Sequence, residues 1–90
     1  MIVLEFWPDY GPGPLWTVGG VPVDLGSLGM DRALVQRVEA WNAAYEEDKV
    51  PLAGPGDAEW IGEGRRLLGD VRTALRQEYQ VIVTEPWWVE

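Results

Sequence analysis

Residues 58 to about 78 carry the pattern that most narrows the fold. Trp60, Ile61, Gly64, Leu67, Leu68, Val71, Ala74 and Leu75 recur at the spacing of one helical face. Asp57 stands where an N-cap belongs, and Glu59 in the first turn suits the positive end of the helix. A stripe this wide must be covered by other elements. A second helix is predicted over residues 32 to about 48, behind Asp31 as N-cap. Its Leu34, Val38, Trp41 and Tyr45 share one face. Gly64 lies inside the larger stripe and is expected to mark the close crossing of the two helices. Gly62 and Gly69 lie opposite it. Each interior Gly costs about 1 kcal/mol relative to Ala, so these two are either tolerated drift or places where a backbone packs close.

The chain ends supply the strands. Residues 2–7 form a short apolar run broken only by Glu5, with Ile2, Leu4 and Phe6 expected to face the core. Residues 79–84 form the best strand in the chain, and are expected to lie centrally beside 2–7. Ile82 would share a face with Gln80 and Thr84, leaving Tyr79, Val81 and Val83 on the other. Between them, Val18-Gly19-Gly20-Val21 has two glycines between apolar residues, the pattern of a two-residue primed turn. That register pairs Val18 with Val21 and Trp16 with Val23 on one face. Pro22 then marks a sheet edge, since it has no N–H to donate.

The predicted fold class is α+β. It is a two-layer sandwich of four short strands in β-β-β-α-α-β order, with a two-helix hairpin on one face. Val3, Trp7, Tyr79, Val81 and Val83 would then lie on the uncovered side of the sheet. Either the proline-rich loop at 8–14 folds over them or a partner does. Ninety residues make a single domain spanning 1–90.

The composition removes whole classes of chemistry. There is no Cys and no His, so no thiolate zinc site, thiol nucleophile or imidazole base. An enzyme would have to work with carboxylates, tyrosines, one Ser and one Lys, and a glycosidase-type cleft is hard to build in 90 residues. No stretch alternates acids and glycine as a calcium loop does. The reading is no catalytic residue, no metal and no cofactor. The N-terminus lacks a basic leader, and no apolar run approaches ~18 residues, so a cytoplasmic protein without a membrane role is expected. The net charge is −8. It lacks the basic footprint that neutralises phosphates, which argues against nucleic acid. It suits either simple solubility or a partner with a basic surface.

Folding leaves one set of residues over. Asp9 and Tyr10 lie in the first loop. Glu46, Glu47 and Asp48 are expected at the C-terminal end of the first helix, where the macrodipole disfavours them. Glu85, Trp87, Trp88 and Glu90 form the tail. Trp and Tyr are enriched in binding hot spots, and flanking acids select a basic partner. These nine residues are the candidate partner-binding surface. If the terminal strands pair in parallel, loop and tail emerge at one end and form one surface. If they are antiparallel, the tail meets Met1 instead. Trp87 and Trp88 can alternatively fold back to close the sheet.

The chain resembles a group of short actinobacterial proteins. The likeness lies in Trp7-Pro8-Asp9-Tyr10-Gly11, Pro14-Leu15-Trp16, Val23-Asp24-Leu25, Trp41-Asn42-Ala43-Ala44-Tyr45 and Val83-Thr84-Glu85-Pro86-Trp87-Trp88. Small acidic proteins of this kind are similar to the immunity and antitoxin partners found beside bacterial toxins. The resemblance implies an inhibitor that occludes a basic, toxin-like protein. The alternative is a structural or regulatory protein that self-associates, as a homodimer, through the uncovered sheet face.

Overall fold

The computed structural model describes residues 1–88. Three strands and two helices follow in the order β1 (Ile2–Phe6), β2 (Leu15–Thr17), α1 (Arg32–Ala43), α2 (Ala58–Leu75) and β3 (Tyr79–Ile82). The sheet order is β2-β1-β3. β1 pairs antiparallel with β2, setting Phe6 opposite Leu15, and parallel with β3, setting Leu4 opposite Val81. The expected α+β class and the helical pair are present. The fourth strand is not: the segment after the turn makes only an isolated bridge, Pro22 to Trp16. Proline cannot donate to a ladder, so pairing stops there.

The turn is also longer than predicted. Thr17 N–H donates to Val21 O, and Gly20 N–H donates to Thr17 O. Val18-Gly19-Gly20 is therefore a three-residue loop, with Gly20 at φ 85°. A left-handed residue at the third position is how such a loop closes. Val18 lies in the loop and Val21 stands opposite Thr17 at the turn end of the hairpin, and both are exposed. The longer loop turns Leu15 rather than Trp16 toward the helices.

Leu4, Phe6, Leu15 and Val81 meet both helical stripes in one apolar cluster with Val38, Leu67 and Val71. Two expectations are corrected here. Val81 faces the core, because parallel register partners share a face and Leu4 is buried. Ile2, at the open start of β1, is exposed. The strand 79–82 is an edge strand rather than a central one. Its outer side is blocked in part, because Arg72 Nε donates to Val81 O at 2.9 Å. On the far side of the sheet Trp7 and Trp16 stack at 3.9 Å, and Trp16 Nε1 donates to Trp7 O. Gly13 lies against the Trp16 ring, so the proline-rich loop does cover this part of the sheet.

Both N-caps form as the sequence indicates. Asp31 accepts from Ala33 N–H, and Asp57 accepts from Trp60 N–H at 3.0 Å. The helices cross where Gly64 leaves room. A Cβ there would stand 2.4 Å from Trp41 Cζ2. Arg37 of α1 bridges Glu63 and Asp70 of α2 across the outer side of the crossing.

Candidate functional site

The parallel pairing of β1 and β3 decides where loop and tail go. Both leave the C-terminal ends of their strands at the same end of the molecule. α1 delivers a third segment there. It ends at Ala43, one turn short of the predicted stop, and Tyr45 N–H donates to Asn42 O. The acids Glu46, Glu47 and Asp48 are therefore not in the last turn of α1. They lead into a separate 3-10 turn, with Glu47 and Asp48 in its first turn. The expected conflict with the helix dipole does not arise, because acids suit the start of a helical turn.

Tyr45 is the centre of the resulting cluster. Its ring meets Tyr10 edge-on at 5.0 Å. The Tyr10 hydroxyl in turn accepts from Glu47 N–H at 3.0 Å, tying the first loop to the acid run. The Tyr45 phenol is held above its ordinary pKa. Partial burial is the largest cause, followed by the negative field of Tyr10, Asp9, Glu47 and Glu85. The same field that keeps a proton on Tyr45 attracts any cation brought to this rim. Tyr45 also packs against Trp60, which stacks on Trp41 at 4.3 Å. An unbroken aromatic series thus runs from exposed Tyr10 into the core.

Asn42 holds the first loop in position. It is the buried polar residue of the core, only 3% exposed. Its Oδ1 accepts from Asp9 N–H, while Nδ2 donates to Gly11 O and Pro12 O. A loop with three prolines has few donors of its own, and Asn42 satisfies it from below.

Of the nine predicted residues, Asp9, Tyr10, Glu47 and Glu85 come together around Tyr45, while Glu46 and Asp48 flank Glu47 in the chain and line a neighbouring concavity with Lys49 and Asp57. Trp88 does not join them. Its ring is 2% exposed and packs edge-on against Phe6, Trp41 and Trp60. Its Nε1 donates to Glu85 Oε1 at 2.8 Å. Trp88 is a core residue that also orients Glu85. Trp87 is half-buried, and its carbonyl accepts from Arg65 Nε. Its Nε1 is buried without a partner among the described residues. Glu90 lies outside the described residues. Tyr45 and Asn42 were not among the predicted site residues. Tyr45 matched the apolar face of a helix that stops before reaching it. Asn42, a polar residue beside Trp41 in that stripe, was the available signal.

Among the described residues no group of three or more His, Cys, Asp or Glu could hold a metal ion. No described helix is long and apolar enough to cross a membrane. What the rim offers is charge and aromatic surface.

A family model described as Serratia CdiI immunity protein-like matches residues 3–86. The chain belongs to that family. The match starts in β1 and ends in the turn before Trp87, so the CdiI-like region contains the whole rim from Asp9 to Glu85. No curated protein matches the chain. Membership places it among immunity proteins, which act by binding and inhibiting a toxin. It also agrees with the immunity-like appearance read from the sequence.

Proposed function

We propose that this CdiI-like chain neutralises a toxin or nuclease with a basic surface, by occluding it with the rim of Asp9, Tyr10, Tyr45, Glu46, Glu47, Asp48 and Glu85. The observation that carries the reading is the meeting of Tyr10, Tyr45 and Glu47. Two aromatic rings anchored to the core stand among acids drawn from three separate segments. Rigid aromatics supply contact area at low entropic cost, and the acids steer and select a cationic partner. Inhibition requires no chemistry of the chain's own, and the proposed place of action is the cytoplasm. The homodimer reading draws less support, since Val81 faces the core and Arg72 occupies the outer edge of β3.

The test is titration calorimetry with the purified product of the adjacent gene. Binding is expected, with an affinity that weakens as salt rises. Tyr10→Ala combined with Glu47→Lys should weaken affinity by about 30-fold or more, the size of a hot-spot loss. A neighbouring product that does not bind, or binds the double variant as well as the parent, overturns the proposal.

A further inference from the structure

Beside the rim, residues 47–56 enclose a second feature that the aromatic surface does not use. The loop folds into a concavity of about 520 Å³. Val50 forms a buried floor, 3% exposed, while Leu52 stands 68% exposed at the wall with Ala53 and Pro55. Glu47 and Asp48 form its acidic side. Neither makes an ion pair among the described residues, whereas the neighbouring Lys49 is already engaged with Asp57 at 3.4 Å.

The concavity is preformed. Asp57 N–H donates to Lys49 O at 2.9 Å, and Lys49 N–H donates to Glu46 O. Gly56 sits at φ 73°, and a Cβ there would stand 2.8 Å from Lys49 O. The loop therefore closes on itself in a shape that only glycine permits at that point. A preformed site loses little entropy when it is filled. It is continuous with the rim, because the Glu47 amide that helps define it is bonded to the Tyr10 hydroxyl.

We infer that this concavity is an anchor pocket for one arginine side chain of the partner. The alkyl neck would lie on Val50 and Leu52, and the guanidinium would face Glu47 and Asp48. An apolar floor under an unpaired acidic wall matches the two halves of that side chain, whose stem buries on apolar surface while its head seeks carboxylates. This deepens the proposed function and rests on it for who the partner is, though not for the chemistry the pocket selects.

The probe is n-butylguanidinium, titrated into the ¹⁵N-labelled full chain and followed by amide chemical shifts. Guanidinium and 1-butanol serve as controls. The expected result is saturable shifts confined to residues 47–56, at a concentration about tenfold below that needed for either control, as burial of a short alkyl chain would give. Leu52→Ser should remove the advantage over guanidinium. Glu47→Gln with Asp48→Asn should remove the advantage over butanol. Both changes lie at exposed positions, and the amide spectrum itself reports whether the fold is kept. Equal response to butanol, shifts outside the loop, or the same shifts on concentrating the protein alone overturn the inference, the last because a second copy would then be the occupant. Guanidinium selectivity without binding of the adjacent gene product would sink the toxin reading and leave the pocket standing.

Discussion

Trp41 and Trp60 each hold the other's backbone. Trp41 Nε1 donates to Trp60 O at 2.9 Å, and Trp60 Nε1 donates to Trp41 O at 3.1 Å. The two rings stack within 9° of parallel. This exchange joins the C-terminal part of α1 to the start of α2, with both indole donors satisfied away from water. Trp88 and Tyr45 pack against the same pair. The pair therefore connects the closure of the core to the support of the acidic rim.

The glycines of α2 test how tightly that stack is seated. Gly64→Ala adds a Cβ 2.4 Å from Trp41 and 2.8 Å from Trp88. It is expected to destabilise by about 1–3 kcal/mol, as overpacking does. Gly69→Ala meets nothing within 4 Å and should stabilise by up to about 1 kcal/mol through helix propensity. Urea midpoints of the two variants should move in opposite directions. A shift of the same sign would refute the close crossing at Gly64.

Removal of the Trp88 ring is expected to threaten the fold itself. Trp88→Ala should cost about 3–5 kcal/mol, a large part of the ~5–15 kcal/mol that holds a typical domain together. Trp88→Phe keeps most of the packing but leaves Glu85 without its indole donor. It should cost less, and should act more on partner affinity than on melting temperature. If Trp88→Ala melts like the parent and only loses partner binding, the core assignment fails.

The division between what the residues announce and what they conceal follows the range of the interactions. Both helices and both N-caps depend on neighbours a few positions away and are legible; Gly64 is legible as the small residue inside a wide apolar stripe, although the rings it makes room for, Trp41 and Trp88, are distant in the chain. That the two terminal strands lie side by side is legible from their apolar runs, but their parallel direction and the edge position of 79–82 are not, because Leu4 and Val81 meet from opposite ends of the chain. The turn at Gly19-Gly20 misleads by one residue, and that slip puts Leu15 in place of Trp16 on the core face, while Val23 and Leu25 keep the side expected of them. For the site, the acids and Tyr10 stand out because folding has no need of them. That they converge depends on parallel pairing, which no local pattern specifies. Trp87 and Trp88 resemble an exposed extended tail. Instead, the 3-10 turn at Pro86–Trp88 turns the second ring into the core.

Asn42 offers a way to loosen the rim without altering its surface residues. Asn42→Ala leaves Asp9 N–H and the carbonyls of Gly11 and Pro12 without their partner. A cost of about 1–3 kcal/mol is expected for polar groups stranded in this way. Hydrogen exchange at the Asp9 amide should accelerate more than exchange in α2. Affinity for the partner should fall although no rim side chain has changed. Uniform acceleration across the chain would mean that Asn42 supports the whole fold rather than the loop.

Asp57 gives the chain a defined acid sensitivity. The Trp60 amide, donating to its carboxylate, and then Lys49 hold its pKa below the ordinary Asp range. A carboxylate depressed by folding contributes stability that is fully present above its unfolded value. That contribution is lost as pH falls through the folded value. The loss should therefore begin near the ordinary Asp value of about 3.9 and continue below it. Asn caps helices about as well as Asp, so Asp57→Asn removes the charge and keeps an acceptor for the Trp60 amide. Urea midpoints of parent and variant should differ most at neutral pH and converge as the solution is acidified through that window. All other carboxylates are common to both proteins, so the convergence isolates Asp57. A difference that stays constant with pH would show that its charge does not contribute to folding.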